Sequence, residues 1–366
     1  MSQSKRTLRA AVIGYGLGGR VFHCPFLQAV PGLELAAIVQ RHGDTAAAAW
    51  PEATIFRSVE EMLADPTIDL VAVTTPNESH FPLAKAALEA GKHVVVDKPM
   101  ATTSAQIREL IELANARGLV LAPFQNRRFD GDFLTVQKLV RESTLGRIVQ
   151  ITSRFDRFRP EQRPGTWKET GGLTNGLLFD LGPHVVDQAV ALFGTPQRLT
   201  ASVREDRDQT NIDDAFTLTL EYDLPSGHTL RYLCEATLLS AQAQPRFVVQ
   251  GTRGSYTKFG VDPQEPALIG GATVPSQDSS TQWLPDIESA WGLLSVATQT
   301  AEPVQLDTRK LPTETGDYRR FYASVRDAIL GTAPLAIPAE DAFRSTRLLE
   351  LAVESSRERR TLDVSL

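Results

Sequence analysis

Residues 8–19 read LRAAVIGYGLGG, an apolar run that passes directly into a cluster of four glycines. The apolar part is typical of a strand buried on both faces of a parallel sheet. Gly14, Gly16 and Gly19 match the G-x-G-x-x-G motif, in which the glycines permit a tight turn, approach of a pyrophosphate, and close packing of a helix on the strand. The stretch therefore predicts the start of a dinucleotide-binding unit. By itself the motif would also fit a glycine turn that binds nothing.

The segments that follow alternate between strands and helices as far as about residue 125. Leu33–Val39, Leu70–Thr74 and His93–Val96 are apolar and read as buried strands, with predicted helices between them. This βαβα order predicts a doubly wound parallel sheet, that is, a Rossmann domain over residues 1–125.

The remaining residues, 126–366, follow a different pattern. Segments such as Phe216–Tyr222 and Thr229–Leu238 alternate polar and apolar residues, which is typical of antiparallel strands with one covered face. Helices are predicted between and after these segments. We therefore expect a second, α+β domain that is built on an open, mainly antiparallel sheet.

The composition of the 366-residue chain is that of an ordinary globular protein, with 42% hydrophobic and 22% charged residues. Its net charge of −6 argues against nucleic acid or an anionic membrane as the main partner. The two cysteines, Cys24 and Cys234, are too few for a disulfide framework or a metal cluster and fit a reducing compartment. No run approaches the ~20 apolar residues of a membrane-spanning helix, and the N-terminus does not read as a signal peptide. We therefore expect a cytoplasmic protein.

The residues after the second predicted strand bear on the choice of cofactor. Enzymes that use NAD usually place a carboxylate there, where it binds the ribose 2′-hydroxyl. This chain instead has Gln40, Arg41 and His42, and the next carboxylate is Asp44. Because an arginine can pair with a 2′-phosphate, the sequence favours NADP over NAD. The alternative is that Arg41 is an exposed loop cation without a ligand.

Asp97-Lys98-Pro99 directly follows the predicted strand His93–Val96. Lys98 is thereby placed at the carboxyl edge of the sheet, where open α/β sheets bind their ligands. A lysine there could hold the substrate oxygen and stabilise the alkoxide that develops when an alcohol is oxidised. By itself, a lysine at the end of a strand is more often a solvated cation.

A second cluster lies at Asp180-Leu181-Gly182-Pro183-His184. Proline suits the first position of a helix, so we expect a helix to begin at Pro183 with His184 in its first turn. A helix N-terminus disfavours a charged imidazole, which would leave His184 ready to accept a hydroxyl proton while Asp180 orients it. The alternative is a capped helix with a buried histidine.

Taken together and in this order, these motifs resemble those of the Gfo/Idh/MocA oxidoreductase family, that of glucose–fructose oxidoreductase and inositol dehydrogenase. Residues 74–77 (TTPN) are similar to the family segment beside the nicotinamide ribose, and Asp97 stands where the family has glutamate. Further stretches, including His23-x-Pro25, look most like NADP-dependent scyllo-inositol dehydrogenases. The resemblance implies hydride transfer between NADP(H) and a polyol, sugar or related hydroxy or keto compound. It also implies a homodimer or homotetramer that assembles through the sheet of the second domain.

Together with the sequence patterns, the resemblance assigns candidate roles to individual residues. The candidate catalytic group is Lys98, Asp180 and His184. The candidate cofactor contacts are Gly14, Gly16, Leu17, Gly18, Gly19, Gln40, Arg41, Thr74, Thr75, Pro76, Asn77, His80, Asp97, Lys98 and Pro99. The candidate substrate contacts are Lys98, Asn126, Arg127, Arg157, Arg159, Trp167, Asp180 and His184. No metal ligand is expected.

Two other functions are compatible with parts of the pattern. A sensor that binds NADP without catalysis could keep the glycine loop, but it would be free to lose Lys98, Asp180 and His184, and this chain retains all three. Metal-dependent hydrolysis could draw on His80, His93 and His184 with Asp180, but no ligand spacing such as H-E-x-x-H is present. The sequence therefore favours an NADP-dependent dehydrogenase or reductase.

Overall fold

The computed structural model describes residues 6–162, 169, 174–278 and 283–366. The chain folds into two units, each of which is assembled from three segments. The segments of the first unit are Met1–Phe129, Gln264–Trp283 and Asp317–Phe343. The segments of the second unit are Asp130–Pro263, Leu284–Gly316 and Arg344–Leu366.

Fifteen strands and ten α-helices occur in the described residues, and they are numbered in chain order. The strands are β1 (Leu8–Ile13), β2 (Leu33–Val39), β3 (Thr54–Phe56), β4 (Leu70–Val73), β5 (His93–Val96), β6 (Leu121–Pro123), β7 (Ile148–Arg154), β8 (Arg198–Arg204), β9 (Ala215–Asp223), β10 (Thr229–Thr237), β11 (Phe247–Gly251), β12 (Gly254–Lys258), β13 (Gly292–Gln299), β14 (Gln305–Leu311) and β15 (Leu362–Asp363). The helices are α1 (Cys24–Ala29), α2 (Thr45–Ala49), α3 (Val59–Leu63), α4 (His80–Glu89), α5 (Ser104–Arg117), α6 (Gly131–Arg141), α7 (Leu177–Phe193), α8 (Gln264–Ile269), α9 (Arg319–Ile329) and α10 (Ala339–Glu358).

Strands β1 to β6 form a parallel sheet in the order β3-β2-β1-β4-β5-β6. Aliphatic side chains of the strands, such as Val71 and Val94, are fully buried in one core with Ile107 and Leu110 of α5. This sheet confirms the predicted doubly wound architecture. The strand order reverses between β1 and β4, so ligand binding is expected where the carboxyl ends of these two strands meet.

The second unit contains a nine-stranded sheet, as far as the described residues show, in the order β14-β13-β12-β11-β7-β10-β9-β8-β15. Its described pairs are antiparallel except for β7 with β10. Alternate residues of β10 are buried, among them Tyr232, which shares a core with Phe216, Phe247 and Val185 of α7. The sheet confirms the predicted open, mainly antiparallel architecture and explains the period-two pattern of its strands.

The helix that carries the second predicted cluster begins at Leu177, not at Pro183. The predicted start was wrong, because Pro183 lies inside α7 and His184 is the eighth of its 17 residues. Asp180, by contrast, lies in the first turn. The argument that a helix N-terminus keeps the His184 imidazole uncharged therefore fails. Apolar helix residues before the proline, such as Leu178, are buried.

Two features are absent from the described part of the chain. No helix there is long and apolar enough to cross a membrane. No group of three or more histidine, cysteine, aspartate or glutamate side chains there could hold a metal ion.

Candidate active site

The loop after β1 contains two glycines at which a Cβ is not tolerated. Gly14 has a φ of +101°, in the left-handed region where other side chains are strained. A Cβ on Gly19 would lie 2.2 Å from the carbonyl oxygen of Gly14, so the following helix packs directly on the turn. From the end of β4, the Thr74 hydroxyl donates to the same carbonyl oxygen at 2.8 Å. The turn is therefore fixed by the helix that follows it and by Thr74 at the end of the neighbouring strand.

Gly16, between these two positions, faces open space. A Cβ there would meet nothing within 4 Å, so a bulky group can approach the backbone closely. Leu17 beside it is 54% exposed, and a π-helical turn over Gly18–His23 then leads into α1. The N-terminal end of such a helix favours a phosphate. The loop therefore fits the pyrophosphate of a dinucleotide.

At the end of β2, the side chains predicted to select the cofactor have unequal roles. Gln40 is engaged locally, since its side-chain amide bonds to the start of α2. Arg41 is exposed. Arg57, directly after β3, donates to the carbonyl oxygens of Gln40 at 3.0 Å and Gly43 at 2.6 Å, and it pairs with Asp44 at 2.6 Å. Sequence reasoning missed Arg57, although its place at the same strand edge was a usable signal.

His80 joins the loop after β4 to the loop after β5. Its Nε2 lies 2.7 Å from the carbonyl oxygen of Thr75, and its Nδ1 lies 2.7 Å from that of Pro99. The side chain is buried. Pro76 and the 3₁₀ turn Asn77–Ser79 separate Thr75 from the helix α4 that His80 begins. His80 thus braces two loops that carry predicted cofactor contacts.

Asp97 lies against the glycine loop and fixes the backbone of Lys98. Its Oδ1 accepts from the Lys98 N–H at 2.7 Å, and its Oδ2 would lie 2.8 Å from a Cβ on Gly18. Burial alone would raise the pKa of Asp97, but the rings of His23 and His80 and the Lys98 ammonium outweigh it and lower the pKa below its ordinary value. An ionised carboxylate therefore separates the glycine loop from Lys98.

His23 is wholly buried behind this carboxylate. Its Nδ1 lies 2.6 Å from the Tyr322 hydroxyl, and its Nε2 lies 3.8 Å from Oδ2 of Asp97. The ring packs on Phe124, with 4.1 Å between the ring centroids. The aromatic ring, the hydroxyl and the carboxylate together hold the imidazole in one orientation. Tyr322 comes from α9, and sequence reasoning did not find this contact.

Asn126 and Arg127 lie in the 3₁₀ turn Asn126–Phe129, and both are 7% exposed. Arg127 forms an ion pair with Glu265 of α8. The predicted role of these residues as substrate contacts stays a prediction. Glu265 was not predicted, and it supplies a counter-charge to the buried guanidinium.

Asp180 and His184 lie on one face of α7, because residues four apart in a helix are neighbours. His184 is 6% exposed, and its ring centroid lies 6.3 Å from that of Phe155. Asp180 is half-buried. Both residues belong to the second unit, whereas Lys98 belongs to the first.

Arg157 and Arg159 lie in the extended segment after β7. Their backbone N–H groups donate to the carbonyl oxygens of Thr237 at 2.9 Å and Leu238 at 2.7 Å. Both arginines are half-buried. Trp167, the remaining candidate substrate contact, lies outside the described residues.

A buried cation that sequence reasoning did not single out lies next to α7. Arg246 is 3% exposed, pairs with Asp132 at 3.3 Å, and packs over the ring of Phe155 at 3.9 Å. It also donates to the side chain of Gln188 at 2.8 Å. Since Gln188 follows His184 by four residues, this bond anchors the helix face that carries the histidine.

Two family models match the chain. One, described as an oxidoreductase family with an NAD-binding Rossmann fold, matches residues 8–124. The other, described as the C-terminal alpha/beta domain of an oxidoreductase family, matches residues 137–365. Together they account for most of the chain.

Several known proteins are similar to this chain over nearly its whole length. The oxidoreductase YdgJ of Escherichia coli (strain K12) is 41% identical over 355 residues, which are 97% of this chain and 98% of YdgJ. The scyllo-inositol 2-dehydrogenase (NADP(+)) IolW of Bacillus subtilis (strain 168) is 35% identical over 356 residues, 97% of this chain and 96% of IolW. The solved structure of the oxidoreductase yvaA from Bacillus subtilis has a TM-score of 0.91 at 33% identity, and the match covers 99% of this chain and 100% of that one.

Proposed function

Because the chain belongs to the Gfo/Idh/MocA oxidoreductase family, we propose that it is a dehydrogenase or reductase that transfers hydride between NADP(H) and a polyol, sugar or related hydroxy or keto compound. The observation that carries the proposal is the contact of Asp97 with the glycine loop, because it sets Lys98 beside the turn that fits a pyrophosphate. Similarity to a protein named as an NADP-dependent scyllo-inositol 2-dehydrogenase supports a cyclic polyol as the first substrate to try.

We assign the cofactor to the carboxyl edge of the parallel sheet. The loop Gly14–Gly19 would hold the pyrophosphate, and the exposed Arg41 would pair with the 2′-phosphate. Arg57 supports this choice, because it orders the Gln40–Asp44 loop and neutralises the Asp44 carboxylate, which would otherwise repel a 2′-phosphate. When bound, the nicotinamide supplies the acceptor or donor of hydride.

The catalytic group in this proposal is Lys98, Asp180 and His184. The Lys98 ammonium would donate a hydrogen bond to the substrate oxygen and stabilise negative charge on it. His184 would accept the hydroxyl proton as the carbon loses hydride, so that the alcohol becomes a carbonyl compound, and it would return the proton in the reverse direction. Asp180, one helical turn earlier, would orient the imidazole.

The other predicted contacts and the assembly belong to the same proposal. Asn126, Arg127, Arg157 and Arg159 remain the candidates for the substrate pocket. Strand β14 lies at an edge of the second sheet, and residues 305–310 of it are exposed. An exposed edge of this kind supports pairing with a second copy of the chain, as a homodimer or homotetramer would require.

The test is a titration of the purified protein with NADPH and with NADH, followed by assays with NADP⁺ and scyllo-inositol and with a panel of other polyols and aldoses. We expect tighter binding of NADPH and NADP-dependent oxidation of at least one compound. Tighter binding of NADH would overturn the cofactor assignment. Binding of NADPH without turnover on the whole panel would favour a non-catalytic sensor, and binding of neither nucleotide would contradict the proposal.

A further inference from the structure

The N-terminus of α7 is capped from a distant part of the chain. The N-cap residue, Gly176, has no side chain to offer to the first N–H groups of the helix. Asp213 supplies both acceptors instead. Its backbone carbonyl oxygen accepts from the Leu177 N–H at 2.9 Å, and its Oδ2 accepts from the Leu178 N–H at 2.7 Å.

Gly176 leaves room for this carboxylate because it has no side chain. Its φ is +92°, and a Cβ there would lie 2.1 Å from Oδ1 of Asp213. Glycine therefore meets two demands at once, a left-handed backbone and direct contact with the carboxylate. Gly176 and Asp213 act as a matched pair at the helix start.

Asp214, the residue after Asp213, is bonded to residues just before Asp213 in the chain. Asp214 accepts from the N–H groups of Asp206 at 2.7 Å and Arg207 at 3.1 Å. It also pairs with the Arg207 guanidinium at 2.8 Å, and both side chains are 1% exposed. The buried ion pair therefore anchors the backbone next to Asp213.

The cap matters because Pro183 interrupts the hydrogen bonds of α7. Proline has no N–H, so the carbonyl of Phe179 lacks its usual helical partner, and a helix start at Pro183 would be the locally favoured outcome. The stretch Leu177–Gly182 therefore depends on support from outside the helix. Asp180 lies within that stretch.

We infer that Asp213 is a positioning residue for the reaction, because it holds the turn that carries Asp180 in helical form on the N-terminal side of Pro183. This inference rests on the proposed function. Without the cap, the turn that contains Asp180 frays and the carboxylate no longer lies one helical turn from His184. Asp213 itself touches neither substrate nor cofactor in this scheme.

The experiment compares four forms of the full chain: wild type, Asp213→Ala, Asp213→Asn and the control Asp208→Ala. Asparagine keeps an oxygen acceptor for the Leu178 N–H, whereas alanine does not. Asp208 is an exposed residue of the same connection. For each form we would measure kcat, Kd for NADPH, and hydrogen exchange of the peptide that covers residues 177–182.

For Asp213→Ala we expect kcat to fall ~10- to 100-fold, because small misplacements of catalytic groups have effects of that size. Exchange in residues 177–182 should be about tenfold faster, which corresponds to loss of a helix cap. The Kd for NADPH should stay within about twofold, and Asp213→Asn and Asp208→Ala should behave as the wild type. If the alanine variant does not bind NADPH, Asp213→Glu replaces it, since it keeps the charge but displaces the oxygen atoms.

Unchanged kcat or unchanged exchange in Asp213→Ala would overturn the inference. So would an asparagine variant as impaired as the alanine variant. A wild-type protein that turns over no member of the polyol panel would contradict the proposed function instead, and the exchange of residues 177–182 would then still decide whether Asp213 holds the helix.

Discussion

The imidazole Nδ1 of His23 and the hydroxyl of Tyr322 lie 2.6 Å apart in a fully buried environment, although 299 residues separate them in the chain. The hydrogen bond orients the ring whose other nitrogen faces Asp97. It therefore links α9 to the carboxylate that lies between the glycine loop and Lys98.

Tyr322→Phe should lower the free energy of unfolding by about 1–2 kcal/mol, because it leaves a buried imidazole nitrogen without its partner. Urea denaturation would measure the loss. Tyr222→Phe is the matched control, since the Tyr222 hydroxyl is also buried but has no hydrogen-bond partner among the described residues. We expect that control to be neutral or slightly stabilising. Equal losses in the two variants would show that the His23 contact contributes nothing.

On the proposed mechanism, Lys98→Met should reduce kcat by roughly 10²–10³, since it would remove the donor that stabilises charge on the substrate oxygen. The Kd for NADPH should change by less than about threefold, because the glycine loop is intact. The exposed pair of Lys85 with Glu109 provides the control, and Lys85→Met should turn over normally. Steady-state kinetics and fluorescence titration give both quantities. Normal turnover of Lys98→Met would remove this lysine from the catalytic group.

His184→Ala should lower kcat by roughly 10²–10⁴ and remove the limb of the pH–rate profile that reports the general base. His228→Ala is the control, because His228 is exposed in the loop before β10. The measurement is kcat across a pH series for both variants and the wild type. A profile of unchanged shape in His184→Ala would assign the base to another residue.

On the proposed cofactor assignment, Arg41→Asp should weaken NADPH binding by about 10- to 100-fold and leave NADH binding nearly unchanged, since one charge-assisted contact to the 2′-phosphate would be lost. Arg57→Ala should weaken it less, because the residue acts through the loop that it orders. Titration of each variant with both nucleotides gives the ratio of affinities. Arg117→Asp, at the exposed end of α5, should keep the wild-type ratio. If Arg41→Asp also keeps the wild-type ratio of NADPH to NADH affinity, the 2′-phosphate is bound elsewhere.

Burial raises the pKa of the Asp213 carboxyl to about 6, against the opposing effect of its bond from the Leu178 N–H. The carboxyl therefore favours the folded chain below about pH 4, and this contribution is lost as the pH rises through about 6. We expect the unfolding free energy of the wild type to fall by about 3 kcal/mol relative to Asp213→Asn over that range. Urea denaturation at several pH values tests this, with the exposed Asp208→Asn as control. Parallel stability curves for wild type and Asp213→Asn would contradict the raised pKa.

Local sequence was sufficient for the parallel sheet and its glycine loop. Residues 8–19 contain both the buried strand and the glycines, and β1 (Leu8–Ile13) ends directly before the first glycine. A side chain at Gly19 is excluded mainly by the Gly14 carbonyl oxygen. A side chain at Gly14 is excluded by residues that follow β4, the neighbouring strand in the sheet. Interactions of such short range leave a periodic and compositional signal that can be read without a structure.

The start of α7 could not be predicted in the same way. The preference of proline for the first helical position is a local rule, whereas the cap that overrides it comes from Asp213, 35 residues beyond Leu178. Tyr322 was missed for a similar reason, since it acts on the His23 ring from another part of the chain. No spacing in the sequence encodes such pairings.

Because the first unit consists of three separate segments of the chain, it is difficult to exchange it for the corresponding unit of a homologue. A chimera that exchanged only the first 125 residues for those of a homologue would import a His23 equivalent and leave Tyr322 from the recipient. The graft would also leave behind Gln264–Trp283 and Asp317–Phe343, which complete the unit. On the proposed cofactor assignment, specificity would be better transferred by point substitutions near Arg41 than by exchange of the first 125 residues, because the unit has no single crossover point.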